Sequence, residues 1–129
     1  MEPKKILLID DELDVLKTSV VFLEMAGFKV VTATEGIEGL HKARTENPDL
    51  IILDIMLPKL DGYKICRILK FDEKYKRIPI IMFTALAQES DKEMSKQVCA
   101  DAHISKPFSP EGLIEKIKEL LKEKDNKTQ

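Results

Sequence analysis

The segment Leu50-Ile51-Ile52-Leu53-Asp54, an apolar run closed by a carboxylate, sets the pattern that decides the fold. Three further short runs also end in polar groups: residues 5–9 before Asp10 and Asp11, residues 80–83 before Thr84, and residues 102–105 before Lys106. Continuous apolar runs of this length are typical of strands buried on both faces of a parallel sheet. Ligands bind at the carboxyl ends of such strands, so we expect these polar side chains to meet in one pocket.

Segments of helical period separate these runs, and a short β-branched stretch at residues 29–33 adds one more strand. Helices are predicted over residues 14–25, 35–46 and 90–100, and from Asp61 and Pro110 onward. In the second helix, Ile37, Leu40 and Ala43 are predicted to form the buried stripe. The chain therefore alternates five strands with five helices, a doubly wound, three-layer α/β/α fold of (βα)5 type.

The composition indicates a single domain over residues 1–129, with a core of about residues 4–123 and a polar tail at 124–129 that is expected to fray. Basic and acidic residues nearly balance, at 21 and 23, which offers no general attraction to nucleic acid or to a membrane. Lys70, Lys74, Lys76 and Arg77 are interpreted as a solvated loop rather than a nucleic-acid site. Cys66 and Cys99 lack metal-type spacing, so we expect reduced thiols and a cytoplasmic protein.

The predicted pocket would crowd the carboxylates of Asp10, Asp11 and Asp54, which repel one another. A divalent cation removes that conflict, and Mg²⁺ suits a site with one or two direct carboxylates and retained waters. Lys106 is placed to counter the remaining charge, and the Thr84 hydroxyl can donate to the same oxygens. The alternative is that the aspartates serve only as turn formers or helix caps.

The dipeptide Lys106-Pro107 is a candidate cis peptide, because a fixed kink after the lysine would aim its ammonium inward. From the dipeptide alone, a trans bond in a simple strand-to-helix turn is the favoured conformation.

Taken together, these groups resemble the receiver domain of two-component response regulators, of the chemotaxis type. The resemblance covers residues 4–123 and rests on these elements: the acidic pair after the first strand, Asp54, residues 56–62 (Met-Leu-Pro-Lys-Leu-Asp-Gly), Thr84-Ala85 and Lys106-Pro107-Phe108. It implies a flavodoxin-like sheet of strand order 2-1-3-4-5, with Asp54 as phosphoacceptor. It also implies that Asp11, Asp54 and the backbone carbonyl of Met56 hold Mg²⁺, with Asp10 contacting the ion through water.

The same resemblance implies the partners. The phosphoryl donor would be a sensor histidine kinase or a histidine phosphotransfer protein, and the receiver of the signal a downstream protein or an output domain. Thr84 and the side chain at position 103, here His103, would form the switch. Its change would be relayed to a face made by the fourth predicted helix (residues 90–100), the fifth strand and the last helix. This face is also the expected homodimer surface. Direct binding to nucleic acid or a membrane is not expected.

Some positions depart from the family pattern. His103 stands where receivers usually carry Tyr or Phe, so an inward, activated position of this side chain would be less stabilised. Cys99 stands where a glycine is common. Separately, the family analogy implies that the side chains of Met56 and Leu86 border the phosphoryl group. Both are apolar and cannot orient a water, so slow self-dephosphorylation is predicted.

Two other function classes are weighed against this one. A metal-dependent phosphatase with an aspartyl-phosphate intermediate, as in the haloacid dehalogenase family, expects a second aspartate two residues after the nucleophile, where this chain has Met56. A receiver that only binds and takes no phosphate is the other, and the complete acidic set argues against it.

Overall fold

The fold is described by a computed structural model that covers residues 2–84, 100–106 and 108–127. The strands are β1 (Lys5–Ile9), β2 (Lys29–Ala33), β3 (Leu50–Asp54), β4 (Ile80–Thr84) and β5 (Ala102–Ser105). The helices are α1 (Leu13–Met25), α2 (Gly36–Thr45), α3 (Gly62–Lys70) and α4 (Pro110–Lys127). The predicted helix over residues 90–100 falls almost wholly outside the described residues.

The described strands form one parallel sheet of order β2-β1-β3-β4-β5, which confirms the fold class and strand order expected from the sequence. Its three central strands carry the long apolar runs, and the side chains at residues 6–9, 50–53 and 80–83 are fully buried. Runs without alternation are buried on both faces because helices cover both sides of the sheet. The end of β3 therefore lies at the centre of the sheet edge.

Alternate residues of each central strand enter two separate cores. On one face, Leu7, Ile51 and Met82 pack with side chains of α2 and α3. On the other face, Leu8 and Ile52 pack with side chains of α1 and α4. This period of two fixes the register of each strand, because a slip of one residue would exchange the two cores.

The buried face of α2 differs from the predicted stripe. Ile37 is 61% exposed, and the buried positions are Gly36, Gly39 and Ala43. Small residues face inward because α2 lies very close to the sheet. A Cβ added at Gly39 would lie 2.5 Å from Cδ1 of Ile9. The prediction of Ile37 as a core residue is therefore wrong.

The C-terminal helix also differs from expectation. α4 continues to Lys127, so residues 124–127 are helical rather than a frayed tail. An ion pair of 3.8 Å between Lys4 and Asp125 joins this last turn to the segment before β1. The preceding residues 122–124 are Lys-Glu-Lys, which favour helix and lead α4 into this turn.

The sequence suggested that Lys70 belongs to a solvated loop, but the structure places this residue in an ion pair. Its side chain is 9% exposed, and its ammonium lies 2.7 Å from a carboxylate oxygen of Asp101. The same ammonium donates to the Ile78 carbonyl at 2.8 Å, and Asp101 accepts from the N–H of Ile80 at 2.8 Å. These contacts join the end of α3 to the start of β4 and to the residue that precedes β5.

Cys66 is buried in the core beside α3 and forms no disulfide within the described residues, while Cys99 lies outside them. None of the four described helices has the length and apolar composition needed to cross a bilayer.

The close approach of α2 to β1 gives a testable prediction. Gly39→Ala should lower the free energy of unfolding by roughly 1–3 kcal/mol, because the added methyl meets Ile9. Ile9→Val removes the nearest methyl, so the double variant should lose less stability than the sum of the two single variants. Chemical denaturation of all four proteins measures this coupling. Strictly additive losses would show that Gly39 is not in contact with Ile9.

Candidate functional site

The ends of β1, β3 and β5 bring three of the predicted site residues together. The ammonium of Lys106 lies 2.9 Å from Oδ2 of Asp10 and 3.4 Å from Oδ2 of Asp54. Asp10 is fully buried, Asp54 is 3% exposed, and the Lys106 side chain is 12% exposed. These side chains meet because adjacent parallel strands end at one edge of the sheet.

The backbone around Asp54 fixes the direction of its carboxylate. Oδ1 of Asp54 accepts from the N–H of Met56 at 3.0 Å, and the N–H of Ile55 donates to the Phe83 carbonyl at 3.0 Å. The loop then returns to the strand at Gly62, where an added Cβ would lie 2.4 Å from the Asp54 carbonyl oxygen. Asp61 caps α3 by accepting from the N–H of Lys64 at 3.0 Å. Glycine at position 62 thus permits the close approach that holds this loop against the end of β3.

Aromatic packing holds Lys106 over the same edge. The ring of Phe108 stacks on that of Phe83 with centroids 4.7 Å apart and meets Phe22 edge to face at 5.9 Å. The Lys106 ammonium lies 6.0 Å from the centroid of Phe83. Phe108, two residues after Lys106, is therefore anchored, and the Lys106 ammonium lies close to the carboxylates.

The electrostatics of the site show a balance between burial and pairing. Burial raises the pKa of Asp54 to about 6, the negative charge of Asp10 adds to the rise, and the Met56 N–H and Lys106 oppose it. Burial alone would lower the pKa of the Lys106 ammonium, but the carboxylates of Asp10, Glu12 and Asp54 together hold that pKa above its usual value. The lysine therefore stays charged and compensates the acidic side chains around it.

The structure adds Glu12 to the cluster of carboxylates around Lys106. A Glu12 carboxylate oxygen lies 3.0 Å from the Lys106 ammonium, and one oxygen each from Asp10, Glu12 and Asp54 lie within 4.8 Å of one another. Asp11 is exposed and is not part of this set. Sequence reasoning did not identify Glu12, although glutamate at the residue before a helix is an uncommon choice that could have drawn attention to it.

The donors present fit a hard divalent cation. The three clustered groups offer only carboxylate oxygens, the ligands that Mg²⁺ prefers. Oδ2 of Asp10 is buried, and among the described residues nothing forms a hydrogen bond to it, although the Lys106 charge lies 2.9 Å away. A buried carboxylate oxygen with an unused lone pair suits a metal or its bound water. The Met56 carbonyl and Asp11 remain predicted ligands.

The remaining predicted residues are placed as follows. Thr84 ends β4 opposite Ser105, and its side chain lies outside the described part of the structure, as do Leu86 and Pro107 of the candidate cis peptide. His103 is half-buried on β5, opposite Met82. The Met56 side chain is 61% exposed.

Comparison with known proteins identifies relatives over nearly the whole chain. The sequence model of the response regulator receiver domain matches residues 6–118. The alkaline phosphatase synthesis transcriptional regulatory protein PhoP of Bacillus subtilis is 44% identical over 119 residues, 92% of this chain and 49% of that protein. The DNA-binding dual master transcriptional regulator RpaA of Synechocystis is 41% identical over 121 residues, 94% of this chain and 50% of that protein. The chain spans about half the length of these curated relatives.

Solved structures give the same picture. A CheY-like response regulator receiver domain protein of Methanospirillum hungatei superposes with a TM-score of 0.91 at 34% identity, covering 97% of this chain and 98% of that one. Chemotaxis protein CheY4 of Vibrio cholerae gives a TM-score of 0.86 at 31% identity, covering 92% of this chain and 98% of that one. These likenesses confirm the family resemblance seen in the sequence.

The raised pKa of Asp54 predicts how stability depends on pH without metal. The folded protein binds this proton more tightly than the unfolded chain, so stability is lost as pH rises from the unfolded value of 3.8 through about 6. With a chelator present, Asp54→Asn should therefore raise the free energy of unfolding by about 1–2 kcal/mol at neutral pH and by little at about pH 4.

Thermal unfolding across this pH range measures the effect. Asp14→Asn, which alters an exposed carboxylate in the first turn of α1, is the control and should show no such gain. An equal gain for Asp54→Asn at both ends of the range would contradict the prediction.

Proposed function

We propose that this chain, which belongs to the response regulator receiver domain family, takes up a phosphoryl group on Asp54 from a histidine kinase or a histidine phosphotransfer protein. The family serves two-component signalling, and the chain is a signalling domain. The observation that carries the proposal is the buried Asp54 carboxylate at the centre of the sheet edge, 3.4 Å from the Lys106 ammonium.

The proposed step needs little more than position and charge. A carboxylate oxygen of Asp54 attacks phosphorus, an O–P bond forms, and the N–P bond to the donor imidazole breaks, with its electron pair kept by the leaving nitrogen. With a pKa of about 6, Asp54 is ionised at neutral pH and available as a nucleophile. Lys106 stays protonated and can donate to an oxygen of the transferred group.

Asp10, Asp11 and Asp54, with the Met56 carbonyl, are the residues we assign to Mg²⁺. When bound, this ion supplies positive charge that offsets the charge of the phosphoryl oxygens. The Met56 N–H holds Oδ1 of Asp54 in a fixed direction, which leaves Oδ2 facing Lys106. Thr84, at the end of the neighbouring strand, is proposed to donate its hydroxyl to the phosphoryl group.

The signal would leave the domain through a face made of three parts: the segment that follows β4, the strand β5 and the helix α4. We also propose this face as the dimer surface. His103 lies within this face on β5, the edge strand of the sheet, opposite Met82 of β4. Its half-buried imidazole is proposed to give a weaker inward state than the Tyr or Phe common at this position.

The output of the whole protein is a separate proposal. The relatives named as transcriptional regulators are about twice as long as this chain, and one is named as DNA-binding. The expectation of no direct nucleic-acid contact therefore applies only to the receiver, while a fused output domain could bind DNA. The cytoplasm is the proposed compartment.

Phosphoryl uptake is tested by intact-mass measurement after incubation with Mg²⁺ and a small phosphodonor. We expect one phosphoryl adduct in the unmodified chain, none in Asp54→Asn, and an unchanged adduct in Asp14→Asn, an exposed carboxylate on α1. Asp11→Asn should lose the dependence on Mg²⁺ if Asp11 is a ligand. Continuous release of phosphate over many turnovers would favour the phosphatase class instead.

The apolar Met56 predicts a long-lived phosphoryl group. Met56→Asn places a polar group beside Asp54 that can orient a water, so loss of phosphate should accelerate roughly tenfold. Loss of the adduct over time is followed by mass or by labelled phosphate. Ile37→Asn has the same 61% exposure but lies on α2, and it should leave the rate unchanged. Leu86 is expected to behave like Met56. Equal rates for Met56→Asn and the unmodified chain would argue against the idea.

A further inference from the structure

We infer that Glu12 holds Lys106 in the resting state and must release it when a phosphoryl group arrives, so that Glu12 is a positioning residue that limits phosphoryl uptake. This inference rests on the proposed function of Asp54. It assigns a role to the one carboxylate in the cluster that the sequence pattern did not place there.

The contacts of Lys106 carry the argument. Its ammonium lies 2.9 Å from Asp10, 3.0 Å from Glu12 and 3.4 Å from Asp54. The contact with Glu12 has hydrogen-bond geometry, whereas the shorter one with Asp10 does not. Three carboxylate oxygens therefore lie within 3.4 Å of the ammonium, and two of them, from Glu12 and Asp54, accept hydrogen bonds from it. A phosphoryl oxygen that binds Lys106 has to compete with these contacts.

Burial decides which carboxylate leaves. The side chains of Asp10 and Asp54 are 0% and 4% exposed, whereas that of Glu12 is 60% exposed. Oδ1 of Asp10 also accepts from the N–H of Glu12 at 2.9 Å, and Oδ1 of Asp54 accepts from the N–H of Met56. Glu12 can turn into water without uncovering a buried charge, so it is the contact that is exchanged at the lowest cost.

The start of α1 explains why Glu12 is free to reach the lysine. Glu12 occupies the N-cap position with extended backbone angles, φ −86° and ψ 108°, yet its side chain makes no capping hydrogen bond. A shorter side chain at this position would accept from the backbone N–H groups of the first turn. The longer glutamate instead spans the gap between the helix start and the end of β5.

We call the contact between Glu12 and Lys106 the tether. Substitutions at Glu12 separate the effect of this tether from simple repulsion between the Glu12 charge and an anionic phosphodonor. Glu12→Gln removes the charge, whereas Glu12→Asp keeps the charge but is shorter and favours capping of α1. The tether predicts that both variants form the adduct roughly two- to fivefold faster at saturating Mg²⁺ with phosphoramidate. Repulsion alone would accelerate only Glu12→Gln. The control is Glu35→Gln, since Glu35 pairs with Lys59 away from the site.

Two further measurements complete the test. In a Lys106→Met background the acceleration by Glu12→Asp should vanish, and an acceleration that persists would overturn the tether. Without any phosphodonor, the ¹⁵N resonance of the Lys106 ammonium should move in both Glu12 variants and stay in place in Glu35→Gln. An unmoved resonance excludes the tether even if the chain takes up no phosphate, and absence of the adduct in the unmodified chain counts against the proposed function alone.

Discussion

The structure depends on one lysine compensating carboxylates that have been taken out of water. Asp10 and Asp54 are almost completely buried, and their mutual repulsion is opposed chiefly by the Lys106 ammonium and by backbone N–H groups. A buried charge without a partner is unstable, so Lys106 is the main counter-charge to this acidic pair at the strand ends. The same arrangement allows for function, because an anionic group with better matching charge can replace one of the carboxylates that contact Lys106.

The sheet supplies the geometry for this charge balance. Alternate residues of β1, β3 and β4 enter separate cores, and the resulting register places the last residues of the strands at one level. Small residues then set the distances. Gly39 lets α2 approach β1, and Gly62 lets the loop after β3 return against the Asp54 backbone. The site is thus built on buried, closely packed backbone, while the exposed side chains around it remain free to move.

Apolar runs and strand ends predicted the sheet and the meeting of Asp10, Asp54 and Lys106, because they report backbone position directly. The strand order was implied by the family resemblance. Sequence reasoning failed where tertiary proximity decides the outcome. Helical period favoured Ile37 as a core residue, but the buried positions of α2 are Gly36, Gly39 and Ala43, because the helix lies so close to the sheet. Glu12 and Lys70 were missed as charge partners because the residues they contact lie far away in the chain. The side chain of Thr84 and the segment after it remain predictions.

The contact between Glu12 and Lys106 joins residues 94 positions apart. The carboxylates of the site are therefore synthesised well before Lys106, since translation proceeds from the N-terminus at roughly 5–20 residues per second. A nascent chain that has emerged only through β3 carries the repelling carboxylates without their counter-charge. Completion of β5 then brings the ammonium that compensates Asp10 and Asp54, before α4 adds its side chains to the core.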